Sequence, residues 1–268
     1  MSSLENTEAV FESLMSHTFV KTAFENGVEI SQSLEVGDFT QAEVSYSREP
    51  DEYEYFVIAV GHTLAHLLGL CEQMKYAVHF LSLFSPTKQT EESKINRSNY
   101  IQYNIENYLI RTQSLNDRVL KLINAVFHLG IDQRNCKFET ISKNLHVKVT
   151  PVPAKLKKLW AALEKYRQER NTIIHHESFL EDDLRKLEMF YLVMEKSPED
   201  DIQELKYLPY HARKLAGDYV KQKKLEFNKF NNLIFNELLE LFFTLEPKYI
   251  QMESALRVKC GHVKNKSA

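Results

Sequence analysis

Glycine and proline are scarce in this sequence, with seven of each among 268 residues. Together they make up about 5 % of the chain, where an average protein has about 12 %. Sandwiches, barrels and doubly wound sheets need many tight turns, so the shortage of turn-forming residues argues against all three architectures. It favours long helices joined by few loops. We therefore predict an all-α chain.

The sequence also has few cysteines, and they are scattered: Cys71, Cys136 and Cys260, without a CxxC pair. An odd, dispersed set does not build a disulfide framework and is typical of a protein from a reducing compartment. The first fourteen residues include three glutamates and no lysine or arginine. They therefore do not resemble a signal peptide. These features predict a cytoplasmic protein.

No long hydrophobic run and no excess of positive charge is present. The most apolar run, residues 56–71, contains His62 and His66 and is too short and too polar to cross a bilayer, so we expect no membrane contact. The chain has 34 basic and 37 acidic residues, a net charge of −3. That balance excludes a protein that holds nucleic acid through bulk positive charge. A surface for nucleic acid would have to be local.

Apolar residues recur at helical spacing along most of the chain. The predicted helices cover about 3–25, 51–84, 99–129, 154–176, 180–195 and 199–258. Gly130 is the expected stop of the third helix, and breaks are expected near Pro209 and Pro247 in the last. The segment 146–152, HVKVTPV, alternates briefly and is compatible with a short extended piece.

The pattern contains no repeat and no low-complexity segment. It predicts either one helical unit, 1–268, or an N-terminal helical extension, 1–90, packed on a bundle, 91–268. Large apolar side chains such as Phe227 and Phe242 crowd the C-terminal helix. They either complete the core or form a partner surface.

The most informative segment is LKKLWAALEKYRQERNTIIHHESF, residues 156–179. At about 100° per residue, five apolar side chains fall in one stripe about 80° wide. They are Leu156, Leu159, Leu163, Tyr166 and Ile174. Arg170 falls inside that stripe, and Arg167 lies at its edge. His175 lies about one turn after Asn171, whereas His176 points to the opposite, solvent side.

A guanidinium on the core-facing side of a helix needs a partner for its charge. One explanation is structural: Arg170 extends its head group to water or pairs with Glu164 or Glu169. The other is functional: its partner is a second chain or a phosphate. The spacing of residues leaves both open.

The segment Arg170-Asn171-Thr172-Ile173-Ile174-His175 matches the R-x4-H signature of the HEPN superfamily, and resembles members of bacterial type. Asn171 supplies the polar residue that commonly follows the arginine there. The all-α composition and a long helix ahead of the motif agree, so the resemblance covers about residues 95–215. The first 90 and last 50 residues show no family signal. The resemblance implies an antiparallel helical bundle with additional N- and C-terminal helices.

The resemblance also implies a function. Many HEPN proteins are metal-independent endoribonucleases of toxin–antitoxin, phage-defence or RNA-processing systems. Their bundles dimerise through the motif helix, so that arginine and histidine from both chains form one site. On one helix Arg170 and His175 lie about 140° apart, which suits action across two helices.

By this resemblance His175 is the general base or acid, Arg170 stabilises the transition state, and Asn171 positions one of them. A neutral imidazole can take the proton of a ribose 2′-hydroxyl, and a guanidinium fork can hold the phosphoryl oxygens. RNA is the expected substrate, a homodimer the expected assembly and an antitoxin-like protein a possible partner. No cofactor is expected.

Three further cations are candidates for phosphate or RNA contact. Arg167 lies on the motif helix, and Arg111 comes from the long helix before it, which also carries Glu106, Asp117 and Arg118 at charged positions. Lys158 belongs to a basic group near the start of the motif segment. The alternative for Lys158 is an ordinary solvated helix face.

Two rival interpretations remain. His62 and His66 are four residues apart and could share an ion, but the sequence offers no third ligand, so no metal is expected. The Cys260-Gly261-His262 end is expected to be a mobile tail.

The main alternative function is a non-catalytic HEPN-like module for dimerisation or for binding a nucleotide or a partner, which the mild acidity favours.

Overall fold

A computed structural model describes residues 3–34, 48–175, 178–179, 181–196 and 206–262. Within these ranges every regular element is helical, which confirms the all-α prediction. The α-helices are α1 (Ser3–Met15), α2 (Thr18–Ser33), α3 (Glu52–Phe80), α4 (Lys88–Glu92), α5 (Arg97–Val126), α6 (Phe138–Lys143), α7 (Leu145–Lys148), α8 (Val152–Leu163), α9 (Arg167–His175), α10 (Asp182–Lys196) and α11 (Leu208–Lys259). Short 3-10 turns include Gln133–Asn135 and Glu164–Tyr166. The gap predicted between the helices 180–195 and 199–258 falls mostly on residues outside the described ranges.

The N-terminal helix predicted over residues 3–25 is two helices. His17 separates them: its Nδ1 accepts the backbone N–H of Phe19 over 3.1 Å and caps α2. Gly27 does not end this helix, which continues to Ser33 because Ala23 and Ile30 are buried on either side of the glycine.

Helix α3 begins with a capping box. Asp51 Oδ1 accepts the N–H of Glu54, and Glu54 Oε2 accepts the N–H of Asp51, both over 3.0 Å. By length and composition α3 could cross a membrane, with a mean hydropathy of 1.4 over its most apolar window. Half of that window is buried inside the protein.

Helix α5 ends at Val126, three residues before the end at 129 that Gly130 predicts. His128 adopts a left-handed conformation (φ 51°), and the N–H groups of His128 and Leu129 bond to the carbonyls of Ala125 and Asn124. This is a Schellman end with histidine in the usual glycine position. Gly130 follows, also with positive φ (64°).

The two remaining secondary-structure expectations were wrong. Residues 146–152 form no extended piece: α7 and the first residue of α8 occupy most of the segment. Pro247 does not break α11, which runs unbroken for 52 residues. Proline removes a hydrogen bond inside a helix, but Phe242, Leu245 and Tyr249 are fully buried around it. Their packing compensates for the lost bond. Pro209 lies in the first turn, where proline is tolerated.

The residues fall into two compact units, each made of three chain segments. Unit 1 contains residues 1–7, 72–113 and 163–233, and unit 2 contains residues 8–71, 114–162 and 234–268. In unit 1 the rings of Tyr108 and Phe227 stack at 4.0 Å. In unit 2 the ring of Tyr249 contacts Phe19 and Phe56, and its hydroxyl accepts a hydrogen bond from Asn26.

Most large apolar residues of α11 complete these cores, as one of the two sequence interpretations expected. Those that are buried are Phe227, Phe230, Ile234, Leu238, Leu241 and Phe242. Leu233, by contrast, is 48 % exposed.

Candidate functional site

The segment 156–179 is not one continuous helix, and its part from Leu163 onwards, which carries the motif, belongs to unit 1. Helix α8 ends at Leu163, a 3-10 turn follows, and α9 carries Arg170, Asn171 and His175. Gln113 Nε2 donates a hydrogen bond to the carbonyl of Leu163 over 2.7 Å. In a regular α-helix that carbonyl would accept the N–H of Arg167. The N–H of Arg167 donates instead to the backbone carbonyl of Glu164, three residues earlier.

This turn changes which side chains face the core. Leu156, Leu159, Leu163 and Tyr166 are buried, as the helical count predicts. Each 3-10 residue advances about 120° rather than 100°, so three of them rotate α9 by about 60° from the ideal count. Ile174, predicted in the buried stripe, is 43 % exposed.

Arg170 is half-buried and has no carboxylate partner among the described residues. Its Nη1 donates a hydrogen bond to Asn171 Oδ1 over 3.0 Å, and its Nε is buried without a partner. Glu164 pairs with Arg167 instead, at 3.0 Å. Glu169 has a buried Oε2 without a hydrogen-bond partner. The ion pairs that would have explained Arg170 structurally are therefore not formed.

His175 is the last residue of α9. Its side chain lies outside the described part of the structure, as does the whole of His176. The contact between His175 and Asn171 or Arg170 stays a prediction.

The chain after α9 is held against α5 by Glu106. The backbone N–H of Phe179 donates to Glu106 Oε1 over 2.8 Å, and Gln102 Nε2 donates to the same oxygen over 3.1 Å. The sequence shows Glu106 as one of several charged positions of α5, but the residue predicted from this helix for phosphate contact was Arg111. Glu106 shares a helix face with Tyr103 and Ile110. Both are exposed. An acidic residue between two apolar residues on one helix face was therefore the sequence signal that could have identified Glu106.

No described contact brings the three further cations to Arg170. Arg111 donates hydrogen bonds to Gln73 Oε1 and to the carbonyl of Asn107, both over 3.3 Å. Arg167 is tied to Glu164. Lys158 is exposed and belongs to unit 2, where its charge helps to lower the pKa of Glu240.

A buried lysine network anchors the start of the motif helix. Lys223, only 5 % exposed, contacts Glu181 Oε1 at 2.5 Å and Glu226 Oε2 at 3.0 Å. Tyr166 donates its hydroxyl to Glu226 over 2.7 Å, and Tyr219 donates to Glu181 over 2.9 Å. Burial and these carboxylates raise the pKa of both tyrosines, which therefore stay protonated donors. The network fixes the 3-10 turn to α11.

Asp51, Glu54 and His262 of unit 2 form a cluster whose potential ligand atoms lie close enough together for one metal ion. The carboxylates and the imidazole of this cluster already have other partners, however. Asp51 and Glu54 form the capping box of α3, and Arg48 holds both oxygens of Glu54 at 2.5 and 2.6 Å. His262 Nε2 lies 2.6 Å from Asp51 Oδ2. This cluster is structural.

The same contacts correct the expected mobile tail. Gly261 has φ 79°, and the N–H of His262 bonds to the carbonyl of Arg257, so α11 ends in a Schellman motif. His262 therefore packs beside Tyr53, with 4.9 Å between ring centroids.

The family described as HEPN_Cthe2314-like HEPN matches residues 7–245 of the chain. The match extends well beyond the 95–215 range suggested by the motif and includes most of the N-terminal helices. The comparison with curated proteins found no match, and neither did the comparison with solved structures.

Proposed function

Because the chain belongs to the HEPN_Cthe2314-like HEPN family, we propose that it is a metal-independent endoribonuclease. The observation that carries the proposal is the state of Arg170. Its guanidinium is half-buried, is oriented by Asn171, and has no carboxylate partner in the described ranges. Such a cation can bind a phosphate without first breaking an ion pair.

In the proposed reaction His175 takes the proton of a ribose 2′-hydroxyl, and the 2′-oxygen attacks the adjacent phosphorus. The bond from phosphorus to the 5′-oxygen breaks, leaving a 2′,3′-cyclic phosphate and a 5′-hydroxyl. The departing oxygen receives its proton from an imidazolium. The Arg170 fork stabilises the charge on the non-bridging oxygens. Neither step requires a metal ion.

The proposed active form is a homodimer in which the motif helices of two chains meet. Unit 1 exposes several large apolar side chains on α5, α9 and α10. They are Tyr103 and Ile110 on α5, Ile174 on α9, and Met189 and Leu192 on α10. Contact between two copies would bury this surface, as homodimer interfaces do. It would also let Arg170 of one chain act with His175 of the other.

The setting we propose is a cytoplasmic toxin–antitoxin or phage-defence system, with an antitoxin-like protein that restrains cleavage. The support for this step is the family membership alone. A bound inhibitor would explain a purified chain that cleaves only after its partner is removed.

The test is incubation of purified protein with mixed RNA in excess EDTA, followed by analysis of the RNA ends. Wild type should leave cyclic-phosphate ends, and Arg170→Ala and His175→Ala should not. Arg134→Ala in unit 2 and His211→Ala on α11 are matched controls, because both side chains are exposed and neither belongs to the proposed site or to the proposed dimer surface.

Cleavage that is equal in all five proteins would contradict the proposal and indicate a contaminating nuclease. Binding of RNA without cleavage, unchanged by dimerisation or by any tested partner, would instead favour the non-catalytic binding module.

A further inference from the structure

A small cavity in unit 2 is lined by basic groups from two helices. It has a volume of about 220 Å³ and is bordered by six side chains. These are His62, Thr63 and His66 of α3, Arg118 and Lys121 of α5, and Gln133 of the 3-10 turn Gln133–Asn135. No carboxylate lines it.

The cations of this cavity lack acidic partners. Arg118 has no hydrogen-bond or ion-pair partner among the described residues, and Lys121 donates to the neutral Gln133 Oε1 over 3.1 Å. Asp117, the adjacent acid in sequence, is exposed, and its charge acts on Cys136.

The two histidines complete the cluster. His62 Nε2 and His66 Nε2 lie 2.9 Å apart, within hydrogen-bond distance of each other. Burial, then the positive charges of His62, Arg118 and Lys121, lower the pKa of His66. Positive charges that repel a proton from His66 equally attract an anion into the same space.

From this geometry we propose that the cavity is a binding site for a phosphate group. The volume is below the range of about 300–1,000 Å³ typical of pockets for whole small molecules, so it has room for a phosphate or diphosphate. Arg118 supplies a planar fork of donors, Lys121 a point charge, and the imidazoles further donors.

A metal ion is the competing occupant, because histidines four apart on a helix can chelate one. The surroundings oppose it. Two cations line the cavity, and the described part of the chain holds no third histidine, cysteine or carboxylate near the pair. A divalent ion placed there would be repelled by Arg118 and Lys121.

The proposed phosphate site shares no residue with the proposed cleavage site. Its residues belong to unit 2, whereas Arg170 and Asn171 belong to unit 1. The proposal therefore does not depend on ribonuclease activity, and binding alone tests it.

The experiment is calorimetric titration of the full chain with sulfate and with pyrophosphate. Sulfate keeps its charge between about pH 5 and pH 8, so any pH dependence belongs to the protein. We expect saturable binding that tightens as the pH falls, because the bound anion favours protonation of His66. Arg118→Ala and Lys121→Ala should each weaken binding by about tenfold. Their combination should abolish it. His66→Gln should retain binding and flatten its pH dependence.

Lys143→Ala, an exposed lysine in the same unit, is the control and should bind like wild type. Thermal melts without anion establish that each variant is folded. No saturable binding up to about 10 mM would overturn the proposal. Wild-type affinity in the Arg118→Ala, Lys121→Ala double variant would also overturn it. So would zinc binding that requires His62 and His66 and displaces sulfate.

The phosphate group could belong to the end of an RNA strand or to a small phosphate compound. Competition against pyrophosphate distinguishes these two sources. A short 2′-O-methyl RNA, which cannot undergo transesterification, is used with either a 5′-phosphate or a 5′-hydroxyl. Competition by the phosphorylated strand alone would identify a strand end as ligand. Competition by neither strand would identify a small phosphate compound. Both results support the phosphate site.

Discussion

Arg170 and Asn171 are joined by a hydrogen bond from Nη1 to Oδ1 over 3.0 Å, although they are neighbours in sequence. The side chains of adjacent helical residues point about 100° apart, so the guanidinium of Arg170 has to turn around the helix towards Asn171 to make this contact. It satisfies one donor of Arg170 and adds no negative charge. Its Nε is buried without a partner, and no second hydrogen bond of the guanidinium is formed with the described residues.

This arrangement makes Asn171 a positioning residue for Arg170. Arg170→Ala should lower kcat for RNA cleavage by about 100-fold to 1,000-fold, the usual effect of removing one transition-state donor. Asn171→Ala should lower it by about tenfold, since the guanidinium keeps its charge but loses its orientation. Single-turnover cleavage of a short RNA measures both.

Asn171→Asp is the informative variant. An aspartate in this place would pair with Arg170 and neutralise it, so cleavage should fall below that of Asn171→Ala. Wild-type cleavage by Asn171→Asp would contradict a phosphate-binding role of Arg170.

A site shared between two chains predicts subunit complementation. Arg170→Ala and His175→Ala should each be inactive, and a refolded mixture should recover part of the activity because some heterodimers contain one intact pair. The measurement is the cleavage rate against the mixing ratio, with a maximum near equal amounts. A mixture that stays inactive although heterodimers are detected would exclude the shared site.

Glu106 is expected to act through the backbone that follows α9. Glu106→Ala removes the acceptor of the Phe179 N–H. It should therefore reduce cleavage and lower the free energy of unfolding by about 1 kcal/mol. Glu106→Gln retains an acceptor oxygen at the same distance and should restore both. Loss of cleavage in Glu106→Gln with normal stability would mean that the carboxylate charge itself is used.

The lysine network predicts a large effect on stability from one buried cation. Lys223→Met leaves Glu181 and Glu226 without their shared cation. Because these carboxylates are 42 % and 30 % exposed, the cost should be about 2 kcal/mol, below the value for a fully buried pair. Lys221→Met, at an exposed position on the same helix, should change little. Chemical denaturation measures both, and equal midpoints would contradict the network's role.

The helices of this chain could be predicted because their burial follows the 3.6-residue period. Leu156, Leu159 and Leu163 lie in the core as their spacing requires. The 3-10 turn after them could not be predicted, since its cause is a hydrogen bond from Gln113, 50 residues away in sequence. Ile174 was misplaced for the same reason.

Proline and glycine signals failed where tertiary packing opposes them. Pro247 stays inside α11 because the side chains on either side of it are buried. The motif could be found from sequence because Arg170, Asn171 and His175 are local. Glu106 could not be chosen over Arg111, because its role depends on the path of the chain after α9.

His17 predicts how stability depends on pH. Its Nδ1 accepts the N–H of Phe19, so the proton of the neutral ring is on Nε2, which is buried without a hydrogen-bond partner. The ring packs 4.4 Å from that of Phe243. Burial lowers the pKa of His17, an effect that Glu246 opposes only in part. The folded protein therefore holds His17 neutral.

The unfolded chain protonates this histidine below its ordinary pKa of about 6.5, whereas the folded protein resists protonation. Stability should therefore be fully present above about pH 6.5 and fall as the pH drops towards 5, by at most about 1.4 kcal/mol per pH unit for one proton. His17→Asn keeps a capping side chain without a titratable group. The free energy of unfolding of wild type minus that of His17→Asn should decrease between pH 7.5 and pH 5.5. Other titrating groups are common to both proteins and cancel in this difference. A difference that is constant with pH would mean that His17 is protonated as readily in the folded protein as in the unfolded chain.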